Sequence, residues 1–410
     1  MSQQELQPRL WTKSFLALTI SSLLLFLNLQ MLLSAFPAFV KDEFHVGDMM
    51  VSLVTSIFAL TAIATRFLTA MLMRKVHRNT LLYIGLGIAA IITGLYMLAN
   101  SMGSLLLMRV GYGIGFGMAS TIIPTLVSQI IPGRRMGEGI GYFGLSTSLA
   151  MSIGPLVGLQ VMKTSGFDML AATGTLTLLI AFPILLLSRA LPPDPRKTRA
   201  SNSAASNLGS PNKPPFNKKL LFPAFLNVLL AVTYGGLLSF IVLFGKSVHL
   251  EQVGLFFLFN AITIIIIRPI SGKMFDSRGP AIVLIPAVLC VIASLTVLSF
   301  ATTMPMLIVS ALLYGLGFGA IQPTLQAWML NSSMQSQYGM ANSMFYNSTD
   351  LGVAVGAFIL GAISAVSDYA IMYRYAAGFM VLFLAVFSFV QIRARYLNKL
   401  ALNKKEAAGF

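Results

Sequence analysis

"LLYGLGFGAIQPT", residues 312–324, repeats the pattern of "RVGYGIGFGMAST", residues 109–121. Both stretches hold a tyrosine followed by alternating glycines, at 112–117 and again at 314–319, so a single shift of 202 residues superposes them. Glycines spaced four apart leave a helix face without side chains, which lets a neighbouring helix approach closely. The sequence therefore predicts two equivalent, tightly packed helices, one in each half of the chain.

The same shift brings further residues into register, including Arg66 with Arg268 and Gly154 with Gly356. Chance matches of apolar residues would not keep one offset over helices that lie so far apart. Parallel repeats of six helices, each built as three plus three, are a transporter architecture. We expect the substrate to bind between the two bundles near the middle of the membrane, and the bundles to rock about it.

Apolar residues dominate the chain, because 56% of its 410 residues are hydrophobic and only 10% are charged. Soluble proteins carry about 25% charged residues, and a helix needs about 20 apolar residues to cross a bilayer. Polar and turn-forming breaks give twelve candidate membrane helices, at 14–39, 49–73, 80–99, 104–128, 137–162, 169–189, 220–245, 252–274, 279–300, 304–330, 338–365 and 370–392. The predicted fold class is an all-α membrane protein with twelve transmembrane helices in two six-helix bundles.

A polar, proline-rich stretch separates the sixth predicted helix from the seventh. Such a composition is typical of a flexible linker, and a simple tether is favoured over a regulatory segment. The predicted domains are an N-terminal bundle, 1–190, a cytoplasmic linker, 191–219, and a C-terminal bundle, 220–410.

The basic residues set the orientation in the membrane. The net charge is +16, and most of the 28 Lys and Arg residues fall in segments on the same side as the N-terminus. The opposite side holds only Lys41, Lys163, Lys246 and Arg374. Cytoplasmic loops carry the excess of Lys and Arg, so both termini of this multi-pass cell-membrane protein are predicted to be cytoplasmic. The positive charge is expected to face anionic lipid headgroups and not nucleic acid.

The sequence offers no pattern for catalysis or for a cofactor. Cys290 is the only cysteine, and His45, His77 and His249 lack the spacing of metal ligands. The string "GIGYFG", 139–144, matches a dinucleotide motif in letters only, because it lies inside an apolar helix. We therefore expect a protein that is not an enzyme and that holds neither metal nor cofactor.

Three stretches carry a family resemblance: "RPISGKMFDSRG" at 268–279, "RVGYGIGFG" at 109–117 and "SIGPLVG" at 152–158. On them the chain resembles the major facilitator superfamily over essentially its whole length. The first two resemble patterns general to that superfamily, and the third resembles the fifth-helix motif of its proton-coupled drug exporters. The resemblance implies a two-bundle transporter of the drug:proton antiporter branch.

The resemblance also implies a cytoplasmic latch, formed by the acid of the 268–279 motif. The second copy keeps Gly272, Asp276 and Arg278, whereas the first copy has Ala70 and Arg74 at the positions of the glycine and the acid. We therefore expect a single latch, in the second copy.

Asp276 is expected to face Arg134, Arg135 and the first turn of helix five, where an acid is favourable. A solvated loop carboxylate is the alternative. Glu138, near the same helix start, is assigned either to this gate or to capping and pairing with the two arginines.

Other gating residues are implied by the same resemblance. Pro155 kinks helix five between Gly154 and Gly158, and in resembling exporters this kink seals the outer gate. Arg66 and Arg268 are assigned either to gating or to pairing with backbone carbonyls or lipid phosphates.

Asp350 is the most informative single residue, because it lies about twelve residues from either end of a helix that rises 1.5 Å per residue. A charged aspartate at mid-membrane costs about 2.5–3.5 kcal/mol, so it needs a partner, a water-filled cavity or a proton. We predict reversible protonation, with a structural ion pair or a neutral hydrogen-bonded aspartate as the alternative. The resemblance also links Arg109 to proton coupling. Its depth in the helix fits a structural role equally well, in which the side chain extends along the helix so that the charge reaches the membrane surface.

Polar side chains within other predicted helices are expected to line the cavity and contact the substrate. They are Asn28, Gln30, Asn227, Tyr234, Asn260, Gln322, Gln326, Tyr346 and Asn347.

The leading functional hypothesis is a monomeric, proton-coupled exporter of small cationic or amphipathic molecules. A second is a selective exporter of a zwitterionic metabolite, such as an opine-type metal chelator, since Arg109 and Asp350 carry opposite charges. A uniporter or importer is a third, against which residues 152–158 argue. A membrane scaffold or sensor is a fourth, and it would not need a mid-membrane acid.

Overall fold

The computed structural model describes residues 10–46, 48–73, 75–188, 217–250 and 252–407. This part of the chain forms helices and no β-strand. The helices are α1 Lys13–Phe44, α2 Asp48–Leu72, α3 Arg78–Leu95, α4 Met102–Ile130, α5 136–165, α6 167–187, α7 Leu221–Ser247, α8 Leu255–Arg278, α9 Ala281–Ser299, α10 Met304–Asn331, α11 Tyr338–Val366 and α12 Tyr369–Ala407. The predicted linker, 191–219, lies outside the described residues except for its last three.

A break at Gly166 separates α5 from α6 within the continuous helical segment Met136–Leu187. Gly166 has φ 81° and ψ −179°, a conformation that glycine adopts readily and that a side chain would oppose. The sequence prediction of two helices here agrees with this break.

The helices are long and apolar enough for a membrane protein. Ten segments of the described chain meet the requirement for a span, and one of them, Gly133–Leu187, contains both α5 and α6. The apolar part of α2, Ser56–Leu72, is shorter. α12 continues well beyond the predicted end at residue 392, because 393–407 is rich in Leu, Ala and Lys, which are strong helix formers.

The chain divides into two compact units. The first comprises Met1–Leu221, Ile265–Arg278 and Gln326–Asn347. The second comprises Phe222–Ile264, Gly279–Leu325 and Ser348–Phe410. Parts of α8, α10 and α11 thus belong to the first unit and parts to the second, while the division into sequence halves at 190 and 220 stays a prediction.

The glycine ladder of α4 brings two neighbouring helices of the first unit into backbone contact. A Cβ at Gly113 would lie 2.9 Å from Thr61 Cβ of α2, and a Cβ at Gly115 would lie 2.5 Å from the Ala89 backbone nitrogen of α3. Both separations are too short for real carbon atoms. Successive glycines of the ladder therefore pack against different helices, Gly113 against α2 and Gly115 against α3.

The ladder of α10 repeats this packing in the second unit. A Cβ at Gly315 would lie 2.5 Å from the carbonyl oxygen of Asn260 in α8, and a Cβ at Gly317 would lie 2.5 Å from that of Ala287 in α9. The shift of 202 residues that carries α4 onto α10 also carries α2 and α3 onto α8 and α9. The sequence repeat is thus a repeat of helix contacts.

Candidate functional site

The Asp276 carboxylate lies at the start of α5, within the first unit. Its Oδ1 accepts a hydrogen bond from Gly137 N at 2.7 Å, and its Oδ2 accepts one from Glu138 N at 2.9 Å. These are backbone N–H groups of the first helical turn, which have no acceptor within their own helix. The last turn of α8 therefore caps α5 with a negative charge at the positive end of the helix dipole.

Glu138 is almost fully buried beside this cap. Its Oε2 accepts a hydrogen bond from Arg135 Nε at 2.6 Å, and its Oε1 lies 3.6 Å from Lys273 Nζ of α8. The contact between α5 and α8 thus brings together two acidic and two basic side chains, those of Glu138, Asp276, Arg135 and Lys273. Arg134, in the short 3-10 turn before α5, and Arg278, at the end of α8, are both exposed.

The two helices touch through glycine. A Cβ at Gly137 would lie 2.6 Å from the Gly272 carbonyl oxygen, and a Cβ at Gly141 would lie 2.6 Å from the Arg268 carbonyl oxygen. The buried guanidinium of Arg268 lies against Gly144. Sequence reasoning set aside 139–144 as a false dinucleotide motif and missed this packing face, which the spacing of Gly137, Gly141 and Gly144 would have indicated.

Arg66 holds the matching position in the first repeat and is also buried. Its Nε donates to Ser120 Oγ at 3.2 Å, and its Nη1 donates to Asn347 Oδ1 at 3.3 Å. Its guanidinium carbon lies 5.7 Å from the Phe116 ring centre and 5.6 Å from that of Tyr346. The side chains of Arg66 and Arg268 are thus both buried within the first unit.

Gln326 belongs to another polar chain of the first unit. Its Nε2 donates to Asn342 Oδ1 at 2.9 Å, and Asn342 Nδ2 donates to Ser128 Oγ at 3.2 Å. This chain links α10, α11 and α4 through buried side chains.

Arg109 is completely buried and does not extend outward along α4. Its Nε donates to the Val54 carbonyl oxygen of α2 at 2.9 Å. Its guanidinium carbon lies 4.6 Å from the Phe36 ring centre and 4.7 Å from that of Phe58, with Tyr112 at 5.7 Å. An aromatic enclosure from α1, α2 and α4 therefore surrounds this cation.

Asn28 is buried in α1 and uses its amide within the first unit. Its Oδ1 accepts from Tyr112 Oη at 2.7 Å, and its Nδ2 donates to the Gly174 carbonyl oxygen of α6 at 2.8 Å. Contact with a substrate would require these two bonds to open.

The 152–158 stretch of α5 packs on α1. A Cβ at Gly154 would lie 2.5 Å from Gln30 Cβ, and a Cβ at Gly158 would lie 2.8 Å from Met31 Cα. Pro155, between them, is half-buried within α5, as is Gln30 in α1.

Asp350 is half-buried in α11, in the second unit. The two residues before it bind α7, since Asn227 Nδ2 donates to Ser348 Oγ at 2.8 Å and to Thr349 Oγ1 at 2.7 Å. Sequence reasoning missed Ser348 and Thr349, although their place beside the acid in "NSTD" was a usable signal.

The other predicted cavity residues of the second unit lie in three helices. Tyr234 of α7 stacks on Phe318 with ring centres 4.9 Å apart. Asn260 of α8 is buried against Gly315, and Gln322 of α10 is half-buried.

The sequence profile of the Major Facilitator Superfamily matches residues 18–356 and 252–408. The chain belongs to the major facilitator superfamily. Its predicted family and its all-helical fold are thereby confirmed, and the transport and efflux functions expected from them agree with the relatives described next.

Known major facilitator proteins resemble the chain over most of its length. A staphylopine export protein of Staphylococcus aureus (strain Mu50 / ATCC 700699) is 22% identical over 386 residues, which cover 92% of this chain and 96% of the relative. A multidrug resistance protein MdtG of Citrobacter koseri is 25% identical over 345 residues, covering 82% and 83%.

Solved major facilitator structures share the fold. The human organic anion transporter MFSD10 (TETRAN) superposes with a TM-score of 0.71 at 14% identity, covering 91% of this chain and 98% of the other. FucP in the outward conformation gives a TM-score of 0.69 at 14% identity, with the same coverage.

Proposed function

We propose that this major facilitator protein is a secondary active exporter, which moves a small molecule out of the cell in exchange for protons by alternating access of its two six-helix halves. Relatives named for staphylopine export and multidrug resistance cover most of the chain and support export. The packing of Gly154 and Gly158 on α1 supports the same direction, because these glycines belong to the stretch that resembles drug exporters. We place the protein in the cell membrane as a monomer, with both termini in the cytoplasm.

Asp350 is the observation on which proton coupling depends. Its half-buried carboxyl lies within α11, an apolar helix long enough to span the membrane, beside a polar contact between α11 and α7. An ionisable group at such a depth marks an ion or proton path by default. We assign proton binding to Asp350 and a fixed positive charge to Arg109.

The degree of burial divides the polar residues proposed for the cavity into two groups. Gln30, Gln322 and Tyr346 are half-buried, so part of each residue stays accessible. Asn28, Asn227 and Gln326 are buried and hydrogen-bonded to neighbouring helices, so we assign them to positioning the helices around the substrate. Asn260, Tyr234 and Asn347 are buried as well, and we give them the same task.

The experiment uses purified full-length protein in proteoliposomes with an imposed pH gradient. A panel of lipophilic cations and zwitterionic carboxylates is offered, and both substrate flux and proton flux are recorded. We expect the wild-type protein to couple the two fluxes and Asp350→Asn to lose the coupling. Asp368→Asn is the matched control, because Asp368 is exposed at the start of α12.

Coupled flux in Asp350→Asn at the wild-type rate would remove Asp350 from the mechanism. Absence of any pH-driven flux in the wild-type protein, over the whole panel, would remove proton antiport.

Export of a zwitterionic metabolite is the second candidate. The staphylopine export protein matches nearly the entire chain, which is more than MdtG does. Selective transport of the zwitterionic members of the panel, with the lipophilic cations inactive, would establish this candidate over drug export.

A further inference from the structure

The proposed function leaves one feature of the first unit unexplained: the terminal nitrogens of the Arg109 guanidinium, Nη1 and Nη2, which form the edge of the group. Phe36, Phe58 and Tyr112 lie close to the cation, and such contacts are strongest where water is excluded. The rings stabilise the charge, but the N–H groups in the guanidinium plane still require hydrogen-bond acceptors.

Among the described residues, only one of the three guanidinium nitrogens has such an acceptor. Nε donates to the Val54 carbonyl oxygen, whereas Nη1 and Nη2 are buried without a hydrogen-bond partner in the described part of the chain. Within the same part, no carboxylate forms an ion pair with Arg109. A buried charge without a countercharge is strongly unfavourable, as the destabilisation on breaking a buried ion pair shows.

A third polar group lies beside this edge. The Tyr96 hydroxyl is buried beside Arg109 and interacts with it electrostatically and through a weak side-chain hydrogen bond, but it has no hydrogen bond of ordinary geometry to any described residue. A phenol donates one proton as well as accepting. Fewer than about 10% of buried polar groups in well-determined structures lack a partner, and an ion or a water commonly accounts for the exceptions. The two guanidinium nitrogens and the phenol proton thus lack a well-placed acceptor among the described residues, which indicates that an acceptor is missing.

The repeat supplies an independent observation. The shift of 202 residues carries Arg109 onto Ala311 and Tyr96 onto Leu298, both fully buried. The second half thus lacks the cation and the phenol together, while it keeps the tyrosine of the ladder, Tyr314. At these matching positions, only the first half contains the pair.

We propose that Arg109 and Tyr96 form a binding site for a small inorganic anion, of which chloride is the probe used below. An anion supplies both the acceptor and the countercharge, whereas a water supplies only the acceptor. Arg109 has 0% and Tyr96 1% of its surface exposed, so the ligand is smaller than a transported substrate and separate from it. The anion neutralises the cation between α1, α2 and α4, and thereby stabilises the first unit.

The test measures the melting temperature of the purified full-length protein in detergent, in sodium chloride and in sodium gluconate of equal ionic strength. We expect a saturable rise with chloride and none with gluconate, an anion too large for the site. Arg109→Gln should abolish the rise. Arg374→Gln should retain it, because Arg374 also lies over a ring, Phe300 at 4.6 Å, but is exposed.

Tyr96→Phe is the conservative second variant, and it decides the question if Arg109→Gln does not fold. Loss of its hydrogen bond to an anion should raise the chloride midpoint about tenfold. Equal melting of the wild-type protein in both salts, as water alone would give, overturns the proposal. So does a full chloride response in Arg109→Gln or an unchanged midpoint in Tyr96→Phe. None of these readings depends on transport.

Discussion

At the scale of single residues, Asp276 caps a helix that is distant from it in sequence. Ordinary N-caps bind the turn that follows them, whereas this carboxylate binds Gly137 N and Glu138 N from the end of α8. One side chain thus combines helix capping with a tertiary contact. Arg74 stands at the matching position of the first repeat and could not cap a helix in this way.

We therefore predict that Asp276→Ala lowers the melting temperature of the protein. Loss of an N-cap costs about 0.5–2 kcal/mol, and the substitution here leaves two backbone N–H groups, those of Gly137 and Glu138, without this acceptor. Asp368→Ala is the control, because Asp368 caps α12 locally, through Ile371 N at 2.7 Å, and is exposed. Thermal unfolding in detergent should show the larger decrease for Asp276→Ala, and an equal decrease in both variants would contradict a tertiary role.

At the scale of helices, the α5–α8 contact depends on missing side chains. Gly137 and Gly141 of α5 meet the backbone of α8 at Gly272 and Arg268. A backbone atom cannot rotate away as a side chain can, so an added methyl group must separate the helices. The acid–base alternation of Glu138 and its neighbours requires the same close approach.

Substitution of Gly141 by alanine tests this contact. The new Cβ would lie 2.6 Å from the Arg268 carbonyl oxygen, and overpacking of this kind costs about 1–3 kcal/mol. Gly378→Ala is the control, since its Cβ would meet nothing within 4 Å and alanine is favoured over glycine by about 1 kcal/mol within a helix. We expect Gly378→Ala to raise the melting temperature and Gly141→Ala to lower it; a rise in both would show that α5 and α8 are not in contact.

At the scale of the whole molecule, charge and duplication act together. In the predicted topology, six helices per half would return the chain to the side from which it started, and the basic residues would concentrate on that side. The second half can then repeat the first in the same orientation, which a half with an odd number of helices could not do.

Reporter fusions check this orientation. Alkaline phosphatase, which is active only outside the cytoplasm, should be inactive when fused after residue 210 or after residue 410. It should be active when fused after residue 165, at the break between α5 and α6. Activity at the C-terminus would contradict an even number of membrane crossings.

The sequence predicted the helices well for two reasons. A membrane helix must satisfy its backbone hydrogen bonds within one apolar segment, and the turns between such segments are marked by polar residues, Gly and Pro. The sequence also predicted the repeat and the family. The predicted helix ends were wrong where strong helix formers continue beyond the apolar segment, as in α12. The set of cavity residues was less predictable, since intramembrane polarity alone does not distinguish Gln30, which is half-buried, from Asn28, which is hydrogen-bonded on both sides.

The sequence by itself determined the all-helical fold, its duplication and the presence of the two uncommon charges, Arg109 and Asp350. Only the tertiary structure decided what these polar groups contact. It placed Arg109 among aromatic rings, with two nitrogens that have no hydrogen-bond partner among the described residues, and it placed Asp276 on the first turn of α5. The physical reason is that membrane insertion depends on the composition of each segment alone, whereas hydrogen bonds and ion contacts between helices depend on atoms that packing brings together from distant positions.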